Sequence, residues 1–388
     1  MVSLSDRRLR FALVAGEASG DVLGASLINA LKQRYPDAEF MGIGGPKMIA
    51  AGLRSEYDQE KLAVRGAAEV LAHLPEILSI RRGIVARLKA WQPDVFVGID
   101  APDFNLTIER QLKSAGIPTV HYVSPTVWAW RRGRTKKIVA AVNQLLCLFP
   151  FEPACYADKG LNPVFVGHPL ADEIDPELNR QTVRQSLNLP EASPLITLMP
   201  GSRQSELAYH ADLFIESANR VAEELPDAYF LVPMATQETR YIFEAALKAH
   251  AHPSLRLKIL YGHAREALAA SDLALVCSGT ATLEAALLRC PMIITYRLSA
   301  FSAWIYRKMR YLTWVGLPNI LLGRLVVPEL LQEDATPEKL SSALIDLWRH
   351  PNRRREIEES FAAIYQKLRQ NSAERAADAV IACINPQP

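Results

Sequence analysis

Short, continuous apolar runs alternate along this chain with longer segments of helical character, and each run ends in a loop rich in small or acidic residues. FALVAG (11–16) and VFVGID (95–100) are examples from the first half, and LALVCSG (273–279) is one from the second. Runs without polar alternation are typical of strands that are buried on both faces of a parallel sheet. The alternation therefore predicts βαβ units wound into parallel sheets that helices cover.

The series of strands and helices occurs twice, which predicts two domains. A chain of 388 residues is too long for one ordinary core, and the stretch 167–179 between the two series is rich in glycine, proline and acids. We predict an α/β architecture of two Rossmann-like domains facing across a cleft, over residues 1–170 and 171–350. Residues 351–388 are predicted to form helices that pack back on the first domain. Two unrelated α/β domains would give a similar pattern.

The composition excludes several classes of protein. A net charge of +2 argues against a polyanion binder such as a nucleic-acid-binding protein, and five cysteines without CxxC spacing argue against a disulfide framework or a zinc site. No stretch contains the roughly 18 consecutive apolar residues that a helix needs to cross a bilayer. The apolar run near the N-terminus is too short for a signal peptide. These features predict a globular cytoplasmic protein that does not span a membrane.

One strand–loop junction in the first half carries acidic side chains where a ligand is expected. In open α/β sheets, ligands bind beyond the carboxyl ends of the strands. Asp100 follows the run VFVGI at such an end, and Asp103 and Asn105 lie just downstream. The alternative is that the aspartates only cap the next helix, as aspartate commonly does. We favour a functional role for Asp100 and a structural one for Asp103.

The next apolar run, TVHYVS (119–124), leads into a loop that combines aromatic and basic side chains. Trp128, Trp130 and Arg131 lie in this loop, and the basic cluster continues to Lys137. Apolar surface and positive charge beside an acidic group suit a substrate with both apolar and phosphorylated parts. We therefore predict that this loop faces such a substrate.

Two junctions in the second half predict a site for a nucleoside diphosphate. The residues expected to bind it are Gly201, Ser202, Arg203, Ser278, Gly279, Thr280 and Glu284. Arg203 offers the forked donors that suit phosphate, a helix that begins near Thr280 attracts anions, and Glu284 can accept from ribose hydroxyls. Either loop alone fits ordinary turn chemistry equally well, but the pair favours a diphosphate. Neither loop matches GxGxxG or GxxxxGK[ST], which weakens the NAD and P-loop alternatives.

These blocks together resemble lipid-A-disaccharide synthases, a family of membrane-associated inverting glycosyltransferases with the GT-B architecture. The matching stretches are AGEASGD, VFVGIDAPDFN, HYVSPTVWAWR, VGHPLAD, PGSRQSE, CSGTATLE and LPNILLG. The resemblance implies transfer of 2,3-diacylglucosamine from its UDP derivative to 2,3-diacylglucosamine 1-phosphate. The implied products are a β-1,6-linked disaccharide 1-phosphate and UDP.

The resemblance also orders the roles of the candidate residues. Inverting transfer needs a base for the attacking 6-hydroxyl, and we expect Asp100 to be that base, with Glu17 as the next candidate. Arg203 and the N–H groups of 278–280 would neutralise the departing UDP. Asn319, in LPNILLG, matches the family pattern and is grouped with the donor residues. No DxD-type acidic cluster occurs in the donor half, so we expect neither a metal nor a cofactor.

Acylated substrates would require contact with the inner-membrane surface, and two segments suit that contact. Residues 64–80 place apolar side chains at helical spacing, with Pro75 as a predicted kink. The side chains expected to face lipid are Val70, Leu71, Leu74, Ile77 and Leu78. Residues 301–314 mix aromatic and basic side chains, which suits the headgroup zone. The alternative is that both segments are ordinary core faces of amphipathic helices.

Two other functions fit part of the pattern. An epimerase, or a transferase with a soluble sugar acceptor, would share the donor loops but would not explain the tryptophan-rich loop. A binding protein without catalytic activity would not need Asp100 at the end of a buried strand. Release of UDP that requires a lipid acceptor would distinguish the proposed transferase from both.

Overall fold

A computed structural model of the protein describes residues 8–62, 67–129, 133–175, 178–299 and 312–384. For residues 67–72 it describes the backbone alone. The chain forms two compact units, Met1–Asp172 with Leu368–Pro388, and Glu173–Lys367. The first unit is thus assembled from two separate pieces of the chain, whereas the second is continuous.

The first unit is built on a parallel sheet. Its strands are β1 Arg10–Ala15, β2 Glu39–Ile43, β3 Leu53–Ser55, β4 Val95–Ile99, β5 Thr119–Tyr122, β6 Gln144–Cys147 and β7 Val164–Phe165. Within the described residues their order is β3-β2-β1-β4-β5-β6-β7. The helices of this part of the chain are α1 Ala18–Arg34, α2 Pro46–Ala50, α3 Ala67–Trp91, α4 Pro102–Lys113, α5 Arg134–Ala141 and α6 Pro169–Glu173.

The second unit repeats this plan. Its strands are β8 Leu195–Met199, β9 Tyr229–Met234, β10 Leu257–Tyr261, β11 Leu273–Cys277, β12 Met292–Tyr296 and β13 Glu329–Leu331. All pair in parallel, in the order β10-β9-β8-β11-β12-β13 over the described part of the chain. The later helices are α7 Arg180–Ser186, α8 Gln204–Glu224, α9 Gln237–His250, α10 Ala264–Ala270, α11 Thr280–Leu287, α12 Leu317–Leu322, α13 Pro337–Arg349, α14 Pro351–Leu368 and α15 Ser372–Ile384.

Both faces of the central strands are buried, which explains their continuous apolar sequence. In β1, Phe11 and Leu13 belong to one core cluster, whereas Ala12 and Val14 belong to the cluster on the other face. Helix α15 contributes Ala377 to the first of these clusters. The C-terminal helix is therefore part of the core that the first sheet is built on.

The strand order reverses at one point in each sheet, between β1 and β4 in the first and between β8 and β11 in the second. Helices leave such neighbouring strands on opposite faces, which opens a crevice beyond the carboxyl ends of the strands. The loops after these four strands carry AGEASGD, IDAPDFN, PGSRQSE and CSGTATLE. The fold thus brings these four blocks together in two pairs, and the predicted α/β class with two parallel sheets is confirmed.

The segment FEPACYADKG (151–160), between β6 and β7, does not form an α-helix. It contains only a 3₁₀ turn over Pro153–Tyr156. The Glu152 carboxylate accepts the N–H of Phe149 at 3.0 Å, and Gly160 has a left-handed φ of 75°. These features favour a compact turn over a continued helix.

Candidate functional site

Asp100 lies directly after β4, at the reversal point of the first sheet. Its φ is 51°, and that of the following Ala101 is 44°. Residues other than glycine rarely adopt this left-handed region. Ala101 occupies the N-cap position of α4, where no side-chain hydrogen bond caps the helix. Helix capping therefore does not account for an aspartate at position 100.

Asp103 has a different environment from Asp100. It lies in the first turn of α4 with its side chain 83% exposed, and it forms an ion pair with Arg134 of α5. An exposed pair of this kind contributes little to stability. Its charge already has a cationic partner within the same unit, which fits a structural role.

The loop after β1 lies beside Asp100. Ala15 is the register partner of Ile99, and a Cβ added to Gly16 would lie only 2.8 Å from that of Ala101. Glu17 follows as the half-buried N-cap residue of α1. The fold therefore places Glu17 and Asp100 on two touching loops.

Asp21, the last residue of AGEASGD, stabilises the fold around this loop. Its buried carboxylate accepts backbone hydrogen bonds from Gly45, Lys47 and Met48 at 2.9–3.0 Å. A carboxylate at this position caps the N-terminus of α2. Glu17, not Asp21, is therefore the acid of this loop that could meet a ligand.

Trp128, from the aromatic and basic loop, packs into a cluster of rings. Its ring meets Phe149 and Phe151 edge-on, with centroids 6.4 and 5.2 Å away. Its Nε1–H donates to Glu152 at 3.1 Å, and burial raises the pKa of Glu152 to about 7. Trp128 therefore anchors its loop to the first unit.

In the second unit, the loops after β8 and β11 line one cavity of about 370 Å³. The predicted donor residues on its wall are Gly201, Ser202, Arg203, Ser278, Gly279, Thr280 and Glu284. Residues 233–235, Gly262 and Ala264 also line this cavity, and sequence reasoning missed them. The sequence feature that could have revealed this part of the wall is Gly262, a glycine directly after a strand, which has a left-handed φ of 71°.

Glu206 fixes the backbone of the first donor loop. Its carboxylate accepts the N–H groups of Ser202 and Arg203 at 2.9 and 3.3 Å. A Cβ at Gly201 would lie 2.5 Å from that of Glu206, and Gly201 has a φ of 127°, so only glycine fits here. The Arg203 side chain is exposed on the cavity wall, where it can bind phosphate oxygens.

The second donor loop presents the N-terminus of α11 to the cavity. The first N–H groups of a helix have no acceptor within the helix and attract anions. A Cβ at Gly279 would meet no atom within 4 Å, so the space above this backbone is open. Farther along α11, burial raises the pKa of Glu284, while Arg265 at 3.9 Å opposes that rise.

His210 on α8 supports this site, and sequence reasoning missed it because its partner Arg297 lies 87 residues away in sequence. Its Nδ1 donates to the Glu206 carbonyl at 2.7 Å, and its Nε2 accepts from the N–H of Arg297 at 2.9 Å. Burial lowers the pKa of His210, which favours the neutral ring that this pair of bonds requires. His210 thus ties the start of α8 to the residue that follows β12.

Asn319 lies outside the residues that line the donor cavity. It is fully buried, and its amide nitrogen donates to the Val327 carbonyl and the Glu329 carboxylate at 2.9 and 2.8 Å. Its oxygen accepts the N–H groups of Val326 and Val327. Because these bonds occupy the whole amide, Asn319 holds its own loop together instead of presenting its side chain to a ligand.

The residues expected to face lipid are only partly described. Leu74 on α3 is 40% exposed, whereas Ile77 packs against the core of the first sheet and Leu78 is half-buried. Pro75 lies inside α3, which continues to Trp91. The side chains of Val70 and Leu71, and Trp130, Arg131 and residues 301–311, lie outside the described residues.

Known proteins with similar sequences decide the family. Residues 11–383 match the lipid-A-disaccharide synthetase family. The lipid-A-disaccharide synthase of Dechloromonas aromatica (strain RCB) is 52% identical over 378 residues, covering 97% of this chain and 99% of that protein. The chain belongs to the lipid-A-disaccharide synthetase family. The resemblance inferred from its motifs is confirmed, and this member of the family is a glycosyltransferase.

Solved structures confirm the fold of this synthetase-family chain. A glycosyltransferase from Rickettsia africae ESF-5 has a TM-score of 0.61 at 12% identity and covers 99% of this chain and 100% of its own. The UDP-GlcNAc 2-epimerase from Neisseria meningitidis has a TM-score of 0.60 at 10% identity, covering 93% and 99%. The GT-B architecture is therefore shared by transferases and epimerases, and the fold alone does not separate them.

Two general features of this synthetase-family chain bear on metals and membranes. Among the described residues, no group of three or more His, Cys, Asp and Glu side chains is arranged to hold a metal ion. No described helix combines the length and the apolar character needed to span a bilayer.

Glu152 should make stability depend on pH. Its pKa of about 7 in the folded protein lies above the ordinary 4.5, so the folded state stays protonated to a higher pH than the unfolded state. We expect the free energy of unfolding to fall by about 3 kcal/mol as pH rises from 4.5 to 7. Urea unfolding of the wild type and Glu152→Gln at pH 5 and pH 8 measures this loss, which the variant should lack. Glu60→Gln, at an exposed site in the same unit, should keep the wild-type loss, and an equal loss in Glu152→Gln would contradict the assignment.

Proposed function

We propose that this protein transfers 2,3-diacylglucosamine from its UDP derivative to 2,3-diacylglucosamine 1-phosphate, with inversion. The observation that carries the proposal is the pairing of motifs at the two reversal points. One pair presents the carboxylate of Asp100, and the other lines a cavity with Arg203 and the N-terminus of α11. A base and an anion site are the two elements that a displacement of UDP by a hydroxyl needs.

The cavity of the second unit is the proposed donor site. The diphosphate would lie between Arg203 and the first N–H groups of α11, and the ribose hydroxyls would lie against Glu284. Support comes from the shared fold of the Neisseria meningitidis epimerase, which was solved bound to UDP-GlcNAc. As the bond to the sugar breaks, negative charge grows on the diphosphate, and fixed donors aimed at that charge lower the barrier.

Asp100 is the proposed base for the acceptor. In a single in-line displacement, the acceptor 6-hydroxyl attacks the anomeric carbon, its proton passes to the Asp100 carboxylate, and UDP leaves with the bonding electrons. UDP needs no proton once its charge is neutralised, so one carboxylate is sufficient. Glu17, on the touching loop, is the second acid that could meet the acceptor.

The first unit is accordingly the proposed acceptor unit, and the second is the proposed donor unit. Acylated substrates reside in a bilayer, so we propose that the enzyme works from the cytoplasmic surface of the inner membrane without spanning it. Leu74, 40% exposed near the start of α3, supports this contact. The partly buried Ile77 belongs to the core of the unit and is not counted as lipid-facing.

The two donor residues should have different effects. Arg203→Ala removes a contact that strengthens as UDP departs. We therefore expect kcat/KM to fall, with a loss of transition-state stabilisation of about 2–4 kcal/mol. Glu284→Ala removes a ribose contact made equally before and during reaction, so it should mainly weaken UDP binding. Calorimetric titration with UDP and steady-state rates separate the two effects. Glu266→Ala, at an exposed site on neighbouring α10, is the control, and unchanged UDP affinity in Glu284→Ala would remove its assignment.

Membrane contact should depend on the start of α3. Replacing Val70, Leu71 and Leu74 with serine should move the enzyme from sedimented membranes into the soluble fraction while its thermal unfolding is retained. Leu325→Ser is the control, because Leu325 is 60% exposed in the second unit. It tests whether loss of any exposed leucine is sufficient to release the enzyme from membranes. An unfolded triple variant would show that these side chains belong to the core, and a folded variant that stays on membranes would exclude the contact.

Asp100→Asn tests the mechanism. Asparagine tolerates the left-handed conformation that position 100 requires, so the fold should be kept while the base is lost. We expect turnover, followed as UDP released only when acceptor is present, to fall by roughly 10²–10⁴-fold with unchanged UDP affinity. Asp103→Asn, at the exposed and ion-paired position, should stay near wild type. Near-full activity in Asp100→Asn would move the base elsewhere, with Glu17 tested next.

A further inference from the structure

A cluster of buried polar side chains lies behind Asp100, where α4 crosses β4. Gly98 in β4 leaves a notch that this cluster fills. A Cβ at Gly98 would lie 2.1 Å from Oε1 of Glu109 and 2.9 Å from Cβ of Asn105. The polar groups of Glu109 and Asn105 therefore meet over the bare backbone of this glycine.

Asn105 ties together the ends of the two strands at the reversal point. Its side-chain nitrogen lies within hydrogen-bond distance of three carbonyl oxygens, those of Val14, Ile99 and Asp100 at 3.2, 3.3 and 2.9 Å. The shortest of these bonds reaches Asp100 itself. A single buried amide thus fixes the backbone from which the proposed base projects.

That backbone needs such support. Asp100 and Ala101 are consecutive non-glycine residues with left-handed φ angles, a strained conformation that persists only where the surrounding structure imposes it. Without the Asn105 bond, the turn could relax toward an ordinary conformation. The carboxylate of Asp100 would then point in a different direction.

The groups behind Asn105 are not arranged for maximum stability. Oε1 of Glu109 lies 2.7 Å from Nδ1 of His121, and both side chains are fully buried. Oδ1 of Asn105, Oε2 of Glu109 and Nε2 of His121 have no hydrogen-bond partner among the described residues. Burial raises the pKa of Glu109, while the neighbouring His121 ring opposes that rise. Apolar residues would fill this space at a lower cost in free energy.

We propose that Asn105, supported by Glu109 and His121 in the notch left by Gly98, is a positioning residue that aims Asp100 at the acceptor hydroxyl. This inference rests on the proposed role of Asp100 as the base. Asn105 does not touch the substrate. It acts on the reaction through the backbone of Asp100 alone.

A double-mutant cycle tests the inference. Asn105→Ala should lower kcat by roughly 10- to 100-fold, with unchanged affinity for UDP, whose proposed site lies in the other unit. In the Asp100→Asn background the same change should lower kcat no further, because the group it positions is already absent. Equal losses in both backgrounds would overturn the inference. Near-wild-type activity in Asp100→Asn alone would instead refute the proposed base, so the two failures are distinguishable.

Two further variants separate positioning from stability. Glu109→Gln keeps an oxygen acceptor for His121 and nearly the same side-chain volume, so it should retain most of the activity that Glu109→Ala loses. Thr119→Val removes a buried hydrogen bond to the Ala141 carbonyl at the opposite end of the same sheet. It should lower the unfolding temperature without lowering kcat. A loss of kcat in Thr119→Val as large as that in Asn105→Ala would show that destabilisation alone explains the effect.

Discussion

The parallel pairing of strands is the constraint on which the rest of this structure depends. Parallel strands all point the same way, so their carboxyl ends lie at one edge of each sheet, and a reversal of strand order opens a crevice there. Glu17 and Asp100 are far apart in sequence, yet they follow neighbouring strands of the first sheet. Arg203 and Ser278 do the same in the second sheet. No local motif could bring these pairs together without this topology.

The backbone partners of the acidic side chains distinguish supporting residues from candidate reacting ones. Asp21, Glu206 and Glu152 each accept backbone N–H groups and thereby fix a loop. Asp100 does not cap the helix that follows it and lies on a left-handed turn. Acidic side chains thus have two roles in this protein. Carboxylates that accept backbone N–H groups fix the loops, and these loops hold a candidate reacting carboxylate such as Asp100 in position.

Most strands could be predicted because both faces of each central strand are buried, which leaves a continuous apolar run in the sequence. The edge strands Leu53–Ser55 and Glu329–Leu331 were missed because three residues are too few to show a period. The donor loops could be predicted because glycine and helix N-termini leave a local signature. His210 could not be assigned, because its partner Arg297 lies 87 residues away in sequence. The role of Asn319 could not be derived either, because the nearby residues at 326–329 that it binds show no pattern of their own. Local patterns therefore predicted loops that meet at the two reversal points, but not the strand order that brings them together or the side chains that support them.

Helix α15 gives the first unit a property that the second does not share. Its residues Ala376, Ala377 and Val380 pack in the same core cluster as β1 and β4, although almost the whole chain separates them from β1. On the ribosome, the continuous segment Glu173–Lys367 is therefore complete before the first sheet receives its last helix. The part of that face that α15 covers, over β4, β5 and β6, must remain exposed during this interval, although α1 packs on the same face. Exposed apolar surface of this kind is what chaperones bind. The unit that begins first in sequence is thus the last to be finished.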